Sequence, residues 1–385
     1  MIKLKGEMNM GINFEIIATL KAVKDSDKFS ALEIKDFDSG WQSTKYRFNA
    51  ISGNSRFMLE IAGGKWKDDK KNRILTFAKA ESGKKAEKLE VKWEDRKNPS
   101  VIEQVAGFKI YTCNLLTYDE RKALEDEGKE EEAKKKNHQF LEKTEFAALV
   151  KRVIDSCKYA DAKFRILGTM EFQYSEKNNM FYRILSVDKM YKVPDDTPYK
   201  AEMTVNTFYT EDAIDSESYD ETKKYFFNCY TDSYFSSVKE NRFVPLTLVI
   251  NGNGDEKADK KANAFKKKLS EFDDEATVRK CGLVCDMIDG AEEQTITYDD
   301  LDEETRDNID MGLIELEDAI KSLGGVMYGQ RITEYRVKSL ARNSAKGSEP
   351  TVYEEDNLKK LPVIADEPEE DVDIFNDDDD DDDGI

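Results

Sequence analysis

Histidine is nearly absent: His138 stands alone among 385 residues. A Ser–His or Cys–His mechanism therefore has almost nothing to build on. The sequence also lacks a G-x-x-x-x-G-K-S/T phosphate loop and a G-x-S-x-G elbow. No apolar run approaches 18 residues, so no transmembrane helix is expected. The opening MIKLKGEMNMGINFEII is too short and interrupted to read as a secretory signal. Cysteine is sparse, odd in number and scattered: Cys113, Cys157, Cys229, Cys281 and Cys285. That predicts free thiols in a reducing compartment, hence a cytoplasmic protein. Cys281 and Cys285 share a predicted helix, but four zinc ligands are not assembled locally, so buried thiols are expected. Asn251-Gly-Asn-Gly-Asp255 lacks the closing glutamate of a calcium loop and reads as a turn. No acidic cluster beside a lysine marks a two-metal nuclease. The expectation is a non-enzyme without metal or cofactor.

Charge, by contrast, is plentiful: 60 Lys+Arg against 81 Asp+Glu give a net −21. It is unevenly placed. Residues 366–385 hold 13 acids and no base, which leaves the remaining 365 residues at −8. Seven consecutive aspartates, Asp377 to Asp383, repel one another, so a solvated, disordered tail is expected from about residue 343 onward. Within the body, 41–97 carries +7, 151–193 carries +4 and 331–346 carries +4, while 251–324 carries −11. Basic, strand-rich stretches with a detached acidic tail suggest a polyanion-binding surface carrying its own competitor.

Short β-branched or aromatic runs at 12–24, 28–37, 45–52, 56–64, 73–80, 88–93 and 107–116 are separated by turn pairs. They predict an N-terminal β-barrel over 1–116. Residues 117–160 change to helical period and read as a charged helical linker, with Thr144 as an N-cap. The hairpin 162–175/180–193 opens a second barrel over 161–342. Residues 194–222 read as loop, 224–235 and 242–252 as strands, 255–323 as a helical insertion, and 326–341 as the returning strand. The fold class is mainly β with helical insertions (α+β): two OB-like β-barrels, a helical linker and a tail at 343–385.

Single-stranded nucleic acid needs cations for phosphates and flat rings for bases; stacking contributes about 1–3 kcal/mol per base. Residues 41–77 interleave both: Trp41, Lys45, Tyr46, Arg47, Phe48, Arg56, Phe57, Lys65, Trp66, Lys67, Lys70, Lys71, Arg73 and Phe77. Alternation puts Tyr46 and Phe48 on one face with Lys45 and Arg47 on the other. The plain alternative is that the rings are core and the cations an ordinary solvated face. Trp41 and Trp66 stand out because turn residues flank both. In the second hairpin, Arg165, Phe172, Tyr174 and Arg183 form a similar set, against the alternative of a packed hairpin with surface charges. In the tail, Ile374, Phe375 and Ile385 bracket the Asp run as apolar docking points.

INFEIIATLKAVK…KYRFNAISGNSRFMLEIAGGKWK followed by the tail EEDVDIFNDDDDDDDGI resembles bacteriophage single-stranded DNA-binding proteins. That resemblance implies an OB-type body, an acidic C-terminal tail and a role in coating single strands during phage DNA replication or recombination in an infected bacterial cell. It also implies replication or recombination proteins as partners of the tail, and no membrane. The tail departs from the bacterial form, which ends in Pro-Phe; here Phe375 precedes the acids and the chain ends in Gly-Ile. Two rival readings are a virion structural or interaction protein and an acidic nucleic-acid mimic that inhibits a host enzyme.

Overall fold

A computed structural model describes residues 11–25, 30–80, 86–252, 254–271, 277–294, 298, 301–322, 327–341 and 355–362. The strands are β1 (Ile12–Ala22), β2 (Leu32–Asp36), β3 (Trp41–Ser52), β4 (Ser55–Trp66), β5 (Arg73–Phe77), β6 (Lys88–Lys92), β7 (Tyr111–Asn114) and β8 (Asn137–Phe140). They continue as β9 (Lys163–Ser175), β10 (Met180–Lys192), β11 (Lys200–Tyr209), β12 (Ile214–Asp215), β13 (Lys224–Phe235), β14 (Glu240–Asn251), β15 (Arg279–Gln294) and β16 (Met327–Leu340). The helices are α1 (Pro99–Ile102), α2 (Tyr118–Asp126), α3 (Glu130–Lys135), α4 (Lys143–Asp155), α5 (Tyr219–Thr222), α6 (Glu256–Ser270), α7 (Glu303–Asp310), α8 (Leu316–Ser322) and α9 (Glu355–Leu358). The chain is thus mainly β with a few helices.

Successive side chains on a strand point to opposite faces, so alternation selects what goes inward. In β1, Ile12, Phe14, Ile16, Ala18 and Leu20 are all buried. β1, β3, β4, β10 and β9 pair in a closed circuit. β1 runs antiparallel to β3 and β9, β3 to β4 and β9 to β10, while β4 meets β10 in parallel at Leu59 and Leu185. β11, β13, β14, β16 and β15 repeat that order, with β14 parallel to β16 at Val249 and Arg336. Each circuit places a helix between its third and fourth strands: α4 before β9, and α6 before β15. The circuits meet where β1 and β11 pair antiparallel, from Asn13–Thr204 to Ile17–Lys200. One buried cluster, from Ile12 to Val337, runs through both.

This arrangement corrects several expectations. The hairpin β9–β10, expected to open the second β unit, closes the first circuit. Segment 117–160 is not a spacer: Phe146, Ala147, Leu149, Val150 and Val153 of α4 lie in the main core, and 137–140 is a strand. Its cap is Glu142, whose carboxylate accepts from the Thr144 and Glu145 amides, rather than Thr144. Gly63 on β4 lets that helix close in, since a Cβ there would sit 2.9 Å from Lys143 Cβ. Segment 194–222 contains β11, the first strand of the second circuit. Segment 275–288, expected helical, lies largely in β15, the longest strand among the described residues. There Cys281, Leu283, Cys285 and Met287 are buried on one face. No helix among the described residues is long and apolar enough to cross a membrane.

Candidate nucleic-acid interface

The β3–β4 hairpin turns one face to the core and one outward. Tyr46 and Phe48 point inward, are 2% and 0% exposed, and stack on each other at 5.6 Å. Burial pushes the Tyr46 hydroxyl well above its usual pKa. Both rings are out of reach of a base, which corrects their candidacy; the core needed them to fill the first circuit.

Trp41, Lys45 and Arg47 of β3 share the outer face with Arg56 and Trp66 of β4, as the cross-strand pairs Trp41–Trp66, Lys45–Ala62, Arg47–Glu60 and Ile51–Arg56 require. The two tryptophans are half-buried and meet edge-on, 5.3 Å between centroids at 74°. The Trp41 ring packs against Gly64, where a Cβ would fall 2.3 Å from its Cζ2. The Trp66 backbone is fixed by Asn72: its amide N–H donates to Asn72 Oδ1 at 2.8 Å, and Asn72 Nδ2 donates to its carbonyl at 3.0 Å.

Further rings and cations gather at this end of the hairpin. Phe37, 41% exposed, sits in the β2–β3 turn with Lys35 Nζ 5.0 Å from its ring. Gly40 in that turn has φ +85°, a conformation that favours glycine. Its carbonyl accepts from the Lys67 N–H at 2.9 Å, tying the turn to the end of β4. Lys71 Nζ stands 5.7 Å from the Trp66 ring. Lys70 and Lys71 belong to the basic-aromatic run read from sequence, whereas Lys35 and Phe37 were not singled out; Phe37 was hidden in a run read only as a strand end, although the adjoining Asp-Ser-Gly marks a turn.

The expected cations divide into two groups. Arg47 pairs with Glu60 at 2.7 Å and Glu33 at 3.3 Å, Lys67 with Asp36 at 3.1 Å, and Arg73 with Glu90 at 3.1 Å. A hydrogen bond from Gln42, together with Lys67, holds the Asp36 carboxyl below its usual range. Arg165 chelates Glu15 through Nε at 3.0 Å and Nη2 at 3.2 Å. Arg183 reaches Asp289 at 3.1 Å and donates to the Tyr335 hydroxyl. These five already face an anion. Lys45, Arg56 and Lys65, with Lys35, Lys70 and Lys71, make no ion pair among the described residues. An approaching phosphate would therefore not have to displace an internal carboxylate from this second group.

The structure does not bring Arg165, Phe172, Tyr174 and Arg183 together on one face. Alternation sends Phe172 and Tyr174 to the core side of β9, while Arg165 lies on the other side. Phe172 and Tyr174 instead line a 710 Å³ cleft with Tyr234, Phe235 and Ser236 from the end of β13 and its turn. Tyr174 lies 5.0 Å from Phe181, and Phe181 6.0 Å from Phe235. Glu171 is the charged residue of that lining and no cation joins it, so the cleft suits rings better than phosphates. Tail residues Ile374, Phe375, Asp377, Asp383 and Ile385 lie outside the described residues.

No family model matches the chain, and no curated protein matches it. Among solved structures, the wild-type single-stranded DNA binding protein from Thermus aquaticus aligns with a TM-score of 0.30 and 7% identity, over 86% of this chain and 92% of that one. A deletion mutant of the same protein aligns with a TM-score of 0.32 and 8% identity, over 87% and 96%. At such scores a likeness carries no weight for what this chain binds.

Proposed function

We propose that the protein binds single-stranded DNA without sequence preference, as a non-enzymatic coat, and that its two strand circuits are OB-type barrels. Five strands closed by one parallel pair, with a helix between the third and fourth, support that reading of each circuit. In OB folds the face of the second and third strands takes oligonucleotides. In the first circuit those strands are β3 and β4. The observation that carries the proposal is the half-buried Trp41–Trp66 pair on that outer face, with Phe37 near and lysines free of ion pairs around it among the described residues. Rings stack on bases of any identity and lysines meet phosphates. The acidic tail would compete for the same lysines and dock replication or recombination partners through Ile374, Phe375 and Ile385, in a phage setting.

The test is a titration with oligo-dT, followed by tryptophan fluorescence in the wild type and by the anisotropy of a dye-labelled strand in every variant. Binding should quench emission, and log affinity should fall linearly with log salt. Trp41→Ala with Trp66→Ala should weaken binding at least tenfold, and deleting 366–385 should tighten it. Unaltered affinity in the double variant would end the proposal.

A further inference from the structure

In the second circuit the strands equivalent to β3 and β4 are β13 and β14, and part of their outer face is covered. α9 lies across it. Leu358, 1% exposed, is buried with Phe208 of β11 and Val278, against Tyr230 of β13 and Phe243 of β14. This cluster is separate from the main core. Phe208 and Phe243 pack edge-on at 4.9 Å, and Lys280 Nζ stands 5.8 Å from the Phe208 ring. Beneath the helix lie three rings with a lysine beside them, the same side-chain types as Phe37, Trp41 and Trp66 with Lys35 and Lys71.

The cover is small and imperfectly seated. α9 has four residues, too few to hold a helix without the sheet below. A 310 Å³ cleft beside it is lined by Thr210, Asp212, Asn228 and Thr247 from the sheet side and by Glu355 and Lys359 from the helix side. Glu355 lines this cleft with its carboxylate 2.8 Å from Lys359 Nζ, and Asp356 follows it in the first turn of the helix.

We propose that the outer face of β11, β13 and β14 is a second site for single-stranded nucleic acid, occupied in cis by residues 355–362 until a strand displaces them. Phe208, Tyr230 and Phe243 would then stack on bases, and Lys280 would meet a phosphate. The proposal rests on the interface read at Trp41 and Trp66, and the experiment separates the two.

In the full-length chain, Leu358→Asp breaks the apolar contact of α9. Wild type and variant are titrated with a dT strand of about 12 nucleotides, within the range of one OB fold, and with one roughly three times longer. The short strand should bind the first site of both proteins with equal affinity, and the variant should take up a second copy of it. The long strand should bind the variant about tenfold more tightly, and adding Tyr230→Ala should abolish that gain. An unchanged long-strand affinity in the variant, or a gain that survives Tyr230→Ala, overturns the second site. A short strand that binds neither protein sinks the first interface instead. Amide exchange on wild type needs no variant: the long strand should speed exchange at Leu358–Lys360, and unaltered or slower exchange overturns displacement.

Discussion

Trp41 and Trp66 orient each other, so their geometry depends on a neighbour with no side chain. Gly64→Ala would drive a methyl into the Trp41 ring. Overpacking of this kind costs about 1–3 kcal/mol. The near-ultraviolet circular dichroism of the pair should change, and the urea midpoint should fall. The two classes of cation give a second residue-scale prediction. Lys71→Ala should reduce the slope of log affinity against log salt by about one, because Lys71 faces no carboxylate among the described residues. Arg165→Ala should leave the slope unchanged, since Glu15 already holds that guanidinium. Titrations at several salt concentrations check both. The thiols sort by burial as well. Burial pushes Cys113 up to about 12 and Cys281 up to about 11, whereas Cys157 is exposed. Native protein at neutral pH should show one rapidly reacting thiol toward a disulfide reagent, lost in Cys157→Ser.

Among the elements, Glu334 of β16 joins two strands: it accepts from Lys224 of β13 at 2.7 Å and from Arg336 beside it at 2.8 Å. Its partial burial would raise its pKa, but these hydrogen bonds and the two positive charges hold the carboxyl below its usual value. A carboxyl lowered in the folded state stabilises the fold above the ordinary glutamate range, and loses that contribution as pH falls through the folded value. Urea midpoints of the wild type should therefore drop as pH falls through and below that range. Glu334→Gln should be less stable at neutral pH and show a shallower drop. Strand elements were legible from sequence where apolar residues alternate openly, as in β1, β3, β9 and β10. β15 was misread because Cys281 and Cys285 are four apart, a spacing that fits a helical face and, being even, fits a strand face equally. β11 was lost between Pro194, Pro198 and the acids after Tyr209, although Met203, Val205, Thr207 and Tyr209 alternate inward. For the interface, sequence found both tryptophans but could not tell a solvated cation from a paired one. The partners of Arg165 and Arg183 lie 150 and 106 positions away along the chain.

Across the whole molecule, Asp289 clamps the circuits together. It accepts from Arg183 of β10 at 3.1 Å and from Arg331 of β16 at 2.8 Å, with its own side chain largely buried. Removing one partner of a part-buried charge pair leaves the others unanswered. Asp289→Ala should lower stability by about 1–3 kcal/mol, measured by urea unfolding at neutral pH. Arg183→Ala should add little on top of it in a double-mutant cycle. Sequence could not foresee this clamp, because hydrophobic alternation identifies strands but not which neighbour each will choose. That is also why the β9–β10 hairpin was assigned to the wrong half.

The seam between β1 and β11 has one more effect. Five consecutive residues on each side pair in register across it, so neither half can swivel on a hinge. A polymer threaded along both halves would meet a ruler of set length, and molecules queuing on it would advance in one fixed stride rather than an elastic one.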